Sequence, residues 1–159
     1  MGQEIWNTVL SEFSDIPDGQ QIARITLRLL VAAVLGGVLG YQREQQGKSA
    51  GMRTHMLVSI GAALFILIPQ QAGAPTSDLA RVLQGVITGV GFLGAGAIVL
   101  GNREVETRGL TTAAGIWVTA AIGIAAGIGR ESTAVLSTLV ALFVLSTVPL
   151  LYRGRKNKE

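Results

Sequence analysis

The chain has 159 residues and a formal net charge of +3, with 49% of its residues hydrophobic and only 14% charged. A soluble domain carries about 25% charged residues, so this balance describes a chain that lives mostly inside a bilayer. With no cysteine and one histidine, His55, the chain has no disulfide, no thiolate nucleophile and no multi-histidine metal site of its own.

Residues 1–18 come first. The opening MGQEIWNTVLSEF lacks the basic and apolar regions of a signal peptide. It places Ile5, Trp6, Val9, Leu10 and Phe13 on one helical face, which predicts an amphipathic helix lying on the membrane surface. Pro17, Asp18 and Gly19 then mark a turn. Residues 19–152 read as one all-α transmembrane domain with five spans, at residues 22–41, 52–68, 79–100, 110–128 and 133–152. Each approaches the roughly 20 apolar residues that cross a bilayer. Residues 69–77, with Pro69, Gly73 and Pro75, predict a break, and Pro149 is expected in the last turn of the final span. Residues 153–159 form a basic tail.

Charge is placed rather than spread. Glu4, Glu12, Asp15 and Asp18 stand at the start, where Lys and Arg are absent. Arg43, Lys48 and Arg53 surround the first loop between spans, Arg103 and Arg108 the third, and Arg153, Arg155, Lys156 and Lys158 follow the last span. The alternate loops hold only Arg81 and Arg130. By the positive-inside rule the N-terminus is outside and the C-terminus inside. A basic tail beside a last span is a topology anchor near anionic lipid, so nucleic acid is not an expected partner.

Glycines four apart, Gly36 with Gly40, Gly85 with Gly89 and Gly123 with Gly127, predict close helix packing, together with Gly91, Gly94 and Gly96. The run GVGFLGAG has the look of a dinucleotide loop but lies inside a span, not between strand and helix, so it carries no nucleotide function. A shift of about 58 residues lays the second hairpin on the first. Leu35, Gly36, Gly51, Thr54, Ala62 and Ala63 then meet Leu93, Gly94, Gly109, Thr112, Ala120 and Ala121. The match reads equally as a parallel internal repeat or as shared membrane composition.

Polar residues at membrane level fall into two groups. Arg24, Arg28, Asp78 and Arg81 lie toward one face, where Asp78 either pairs with Arg28 or Arg81 or leaves the arginines to snorkel. Arg43, Glu44, Arg53, Thr54, His55, Arg108, Thr111 and Thr112 lie toward the other. Two helix starts, after Gly51 and Gly109, are expected to meet there. Their free N–H groups suit an anion or a partner's acidic group. A plainer reading has the threonines capping helices while Arg53 pairs with Glu44. In the pocket reading, Thr54 and Thr112 line a common cavity near Glu44 or His55. A bare Mg²⁺ ion wants oxygen ligands, and Glu44 is the one obvious carboxylate nearby, so a metal site stays unassigned.

Three segments in order, GYQREQQGKSAGMRTHMLVSIGAAL, DLARVLQGVITGVGFLGAGAIV and RGLTTAAGIWVTAAIG, resemble the MgtC/SapB family of bacterial inner-membrane proteins. Members usually read G-x-E-R-E where this chain has Gly40, Tyr41, Gln42, Arg43 and Glu44, so Gln42 replaces an acid. Ser49 replaces a common proline. The resemblance is to the short kind without a soluble C-terminal domain. It implies a link to growth at low magnesium, to survival inside host cells and, for MgtC-type members, to regulation of other membrane proteins. The expected function is non-enzymatic and without cofactor: ion homeostasis through contact with membrane partners, with a Mg²⁺ or other ion carrier as the alternative. The lipid bilayer, a second copy of the chain and another membrane protein are the expected partners; Mg²⁺ is left open.

Overall fold

The computed structural model describes residues 1–12, 18–99 and 106–156. It is all-helical there: α1 (Gly2–Glu12), α2 (Gly19–Gln45), α3 (Met52–Gln71), α4 (Thr76–Val99), α5 (Glu106–Ile128) and α6 (Glu131–Lys156). Helices α2 to α6 are each long and apolar enough to cross a bilayer. The first loop of basic residues is described; Arg103 and most of the expected loop at residues 101–107 lie outside the described residues, as do Phe13, Asp15 and Lys158.

Local chemistry sets the boundaries. Asp18 caps α2, its carboxylate accepting the Gln21 N–H at 2.6 Å. The break expected at Pro69 comes later, because α3 runs on to Gln71. A proline in the last turn removes a single hydrogen bond, and the chain turns at Gly73, whose φ of 73° suits glycine. Helix α6 likewise runs past Pro149 to Lys156, so that proline is not in the last turn. Gly129, at φ 89°, makes the tight turn between α5 and α6.

α5 is the central helix. It touches α2, α3, α4 and α6, whereas α4 touches only α3 and α5. Two small-residue cores result. One joins Ala32, Leu39, Ala63, Ile122, Ala126 and Ala134; the other joins Ala50, Ala62, Val86, Val90, Ile116 and Ala120. Helices in lipid associate through close packing, since tails are as apolar as leucine. Among the described residues α1 touches none of the long helices, and its Ile5, Trp6 and Leu10 stay exposed.

The glycines divide. A methyl on Gly36 would sit 2.7 Å from the His55 carbonyl oxygen, and one on Gly40 2.6 Å from Met52 Cα. On α5, a methyl on Gly123 would collide with the Ser59 carbonyl oxygen, and one on Gly127 would lie 2.7 Å from that of Ala63. These positions are why α2, α3 and α5 close on each other. Gly94 meets Ala113 at ordinary contact distance. Among the described residues Gly85, Gly89, Gly91 and Gly96 have nothing within 4 Å, which corrects their reading as packing positions within this chain. Gly85 and Gly89 instead line an open apolar groove between α3 and α4.

The contacts repeat in register. Gly36 faces His55 across the α2–α3 hairpin, and their counterparts at the expected shift, Gly94 and Ala113, face each other across α4–α5. Gly40 meets Gly51 and Met52; their counterparts Ile98 and Gly109 are also in contact. Two hairpins of the same packing thus stand side by side.

Candidate functional site

α2 delivers the site. Its buried positions Ala32, Gly36, Leu39, Gly40 and Arg43 recur at helical spacing along one face. The glycines draw α3 against that face, and the last position carries a guanidinium into the bundle. Arg43 and His55 are each only 1% exposed. Arg43 Nη2 donates to Thr112 Oγ1 on α5 at 3.4 Å. His55 Nδ1 lies 3.0 Å from the Gly51 carbonyl oxygen, which can only accept, so this nitrogen carries a proton. Among the described residues Arg43 Nε and His55 Nε2 have no hydrogen-bond partner, nor has Ser59 Oγ one turn further along α3. A buried donor or acceptor left unpaired costs about 1–3 kcal/mol. Gln42 Oε1 and, at the opposite end, Arg28 Nε are unpaired as well, but Arg43 and His55 stand together, which makes this cluster the candidate site.

Gly115 on α5 looks into the same space. A methyl there would lie 3.6 Å from His55 Nε2 and 4.0 Å from Arg43 Nε. Thr119 and Thr138 are buried too, but each donates to its own helix carbonyl four residues back and so is satisfied. His55 also forms the polar wall of a cavity of about 540 Å³ between α5 and α6, whose other walls include Thr111, Gly115, Leu136 and Val140. A larger groove of about 600 Å³ between α3 and α4 is wholly apolar in its lining residues.

The expected polar pocket therefore assembles in part. Arg43, His55 and Thr112 come together, with Thr111 at the cavity wall. Thr54 is exposed and lines a separate depression with Ser49, Ala50 and Leu93, which does not include Thr112. The common cavity for the two threonines is thus not formed. Glu44 does not pair with Arg53 among the described residues; its Oε2 accepts the Met52 N–H at 2.9 Å and caps α3 beside Gly51. Arg53 is exposed, and the Arg108 side chain lies outside the described residues.

At the opposite end Arg28 is a staple. Its Nη1 donates to Gly127 O at 3.0 Å and Gln70 Oε1 at 3.3 Å, and its Nε lies 3.8 Å from Glu131 Oε1. It joins α2 to the ends of α3 and α5 and the start of α6. Asp78 makes no ion pair among the described residues and is exposed, as are Arg24 and Arg81. The expected Asp78–arginine bridge is corrected: Glu131, nearer the α5–α6 turn, takes that role.

Sequence reasoning missed Ser59, Gly115 and the wall supplied by α6. Ser59 follows His55 by one helical turn, which was a usable signal. A serine inside a span usually bonds its own backbone, so its orphaned hydroxyl was not foreseeable.

Comparison with known proteins agrees with the architecture. The MgtC family pattern matches residues 29–153. YhiD of Escherichia coli strain K12, whose name proposes it as a magnesium transporter, is 41% identical over 144 residues, covering 86% of this chain and 66% of that protein. Protein SrpB of Synechococcus elongatus is 41% identical over 151 residues, covering 87% and 81%. Protein MgtC of Salmonella typhimurium strain LT2 is 40% identical over 116 residues, covering 73% and 48%. The chain thus spans just under two thirds of YhiD and about half of MgtC. No solved structure matches it. The five membrane-length helices, the matched residues and these relatives establish that this multi-pass membrane protein belongs to the MgtC family.

Proposed function

We propose that the chain serves magnesium homeostasis in a bacterial inner membrane by contact with other membrane components, and that it is neither an enzyme nor a path for Mg²⁺. The name of YhiD supports the link to magnesium. The sign of the buried charge argues against conduction. Arg43, buried in the bundle, is a cation, and no group of three His, Asp or Glu side chains stands together among the described residues. A divalent ion 6 Å from a guanidinium is repelled by about 5 kcal/mol at an effective dielectric of about 20. Mg²⁺ also dehydrates reluctantly and needs oxygen ligands. In this reading the N-terminus is outside, with α1 lying on that surface through Ile5, Trp6 and Leu10.

The test is Mg²⁺ entry into sealed liposomes holding the purified full chain and an internal Mg²⁺ indicator. The expected rate equals that of empty liposomes. Saturable, protein-dependent entry that Arg43→Gln alters would overturn the reading in favour of a carrier.

A further inference from the structure

We propose that the α5–α6 cavity is a binding site for one anionic phospholipid, its phosphate drawn to Arg43, a headgroup hydroxyl held by His55, and one acyl chain lying along α6. Three independent observations converge. The first is chemical: Arg43 Nε and His55 Nε2 are buried, have no hydrogen-bond partner among the described residues, and both lie within 4.0 Å of where a Gly115 methyl would stand; His55 and Gly115 line the cavity and Arg43 lies just behind them. The Arg43 Nε–H donates to an oxyanion. His55 Nε2, an acceptor while Nδ1 carries the ring proton, accepts from a headgroup hydroxyl such as those of a glycerol headgroup, while the phosphodiester, which has no hydroxyl of its own, takes the Arg43 N–H.

The second is shape. The cavity has His55 and Thr111 at the end where α2 stops and α3 and α5 begin, then continues as a mostly apolar channel past Val144, Val140 and Leu136, with Ser137 its one polar residue there. From Leu145 back to Leu136 it follows α6 for roughly 14 Å at the α-helical rise. The hydrocarbon depth of one leaflet is about 15 Å. Leu136, Val140 and Val144 are exposed on the bundle surface, so an acyl chain reaches the channel sideways from the bilayer. A small hydrophilic anion has no reason to sit against such a wall.

The third is the surrounding field. The same end of the bundle carries Lys48 and Arg53 as well as Arg43. Clustered basic side chains at a membrane surface attract anionic headgroups by roughly 1 kcal/mol each, and basic pockets between helices hold such headgroups. The α3–α4 groove is as large but has no polar end, so it offers no such discrimination. This inference goes beyond the proposed role in magnesium homeostasis and does not depend on it.

The test uses the purified full chain in a zwitterionic detergent, titrated with phosphatidylglycerol, phosphatidylcholine or inorganic phosphate, with thermal unfolding as readout. Phosphatidylglycerol is expected to raise the midpoint saturably, and the other two are not. Arg43→Gln should weaken half-saturation at least about tenfold. Arg43 is buried, so that variant alone is ambiguous if it folds poorly. Val140→Phe fills the channel from its exposed wall, away from the polar cluster; it should unfold as the wild type does without lipid and lose the phosphatidylglycerol response. An equal response to inorganic phosphate would overturn the proposal in favour of a free anion. A wild-type response that Val140→Phe retains would overturn the channel assignment. Efficient cross-linking of Val140→Cys between two copies would give the groove to a second copy of the chain and likewise overturn it.

Discussion

Arg28 and Asp78 show how a residue's worth depends on what it reaches. Arg28 is mostly buried and contacts Gly127, Gln70 and Glu131 from a single guanidinium. Hydrogen bonds to charged groups contribute about 1.5–3 kcal/mol, so Arg28→Gln should lower stability by about 2 kcal/mol in detergent unfolding. Asp78 is exposed in the first turn of α4, where a carboxylate gains only about 0.3–1 kcal/mol from the helix terminus. Asp78→Asn should therefore shift stability by less than about 1 kcal/mol. Equal losses for the two variants would mean that the carboxylate does bear on the staple. The sequence offered both residues as membrane-level charges and could not rank them. The ranking came from Glu131, which the turn at Gly129 brings within reach.

Among elements, glycine spacing alone does not announce a packing face. Gly36, Gly40, Gly123 and Gly127 sit against neighbouring backbone, while Gly85 and Gly89 on α4 do not. Gly123→Ala should force α3 and α5 apart and destabilise by about 1–3 kcal/mol. Gly85→Ala or Gly89→Ala should be neutral or stabilise by up to about 1 kcal/mol, because alanine is the better helix former and has room. Destabilisation by Gly85→Ala matching that of Gly123→Ala would show that α4 has a close partner beyond this chain. The difference follows from place: α5 is enclosed by four helices, while α4 stands at the margin of the bundle.

For the whole molecule, two packed hairpins followed by α6 leave α2 starting and α6 ending at opposite ends of the bundle, as five spans require. With basic residues gathered at the end holding the α2–α3 turn, cysteine labelling at Ser11 and Asn157 should report opposite sides of the membrane. Labelling of both from one side would refute that orientation. The repeat also frames the site. His55 and Ser59 have Ala113 and Trp117 as counterparts in the second hairpin, so the two halves share a packing plan but not a polar centre. Thr54 and Thr112 occupy matching positions, yet only Thr112 is buried. The reason is that α5 packs against α2, α3 and α6 as well as its own partner α4, whereas the Thr54 side of α3 opens onto a shallow depression.

What the sequence by itself determined was everything that depends on composition along the chain. Five apolar runs of membrane length leave the backbone no alternative to helix in lipid. The basic loops suggested an orientation, and three ordered motifs pointed to the family. The packing pair Gly36 and Gly40 was also legible, since residues four apart share a side of a helix. Only the tertiary structure decided which glycines touch, that Glu131 rather than Asp78 joins Arg28, and that Thr112 rather than Thr54 meets Arg43. Those outcomes rest on the rotation of each helix about its own axis. In lipid, water does not penalise an exposed apolar face, so hydropathy leaves that rotation open and close packing between neighbours sets it.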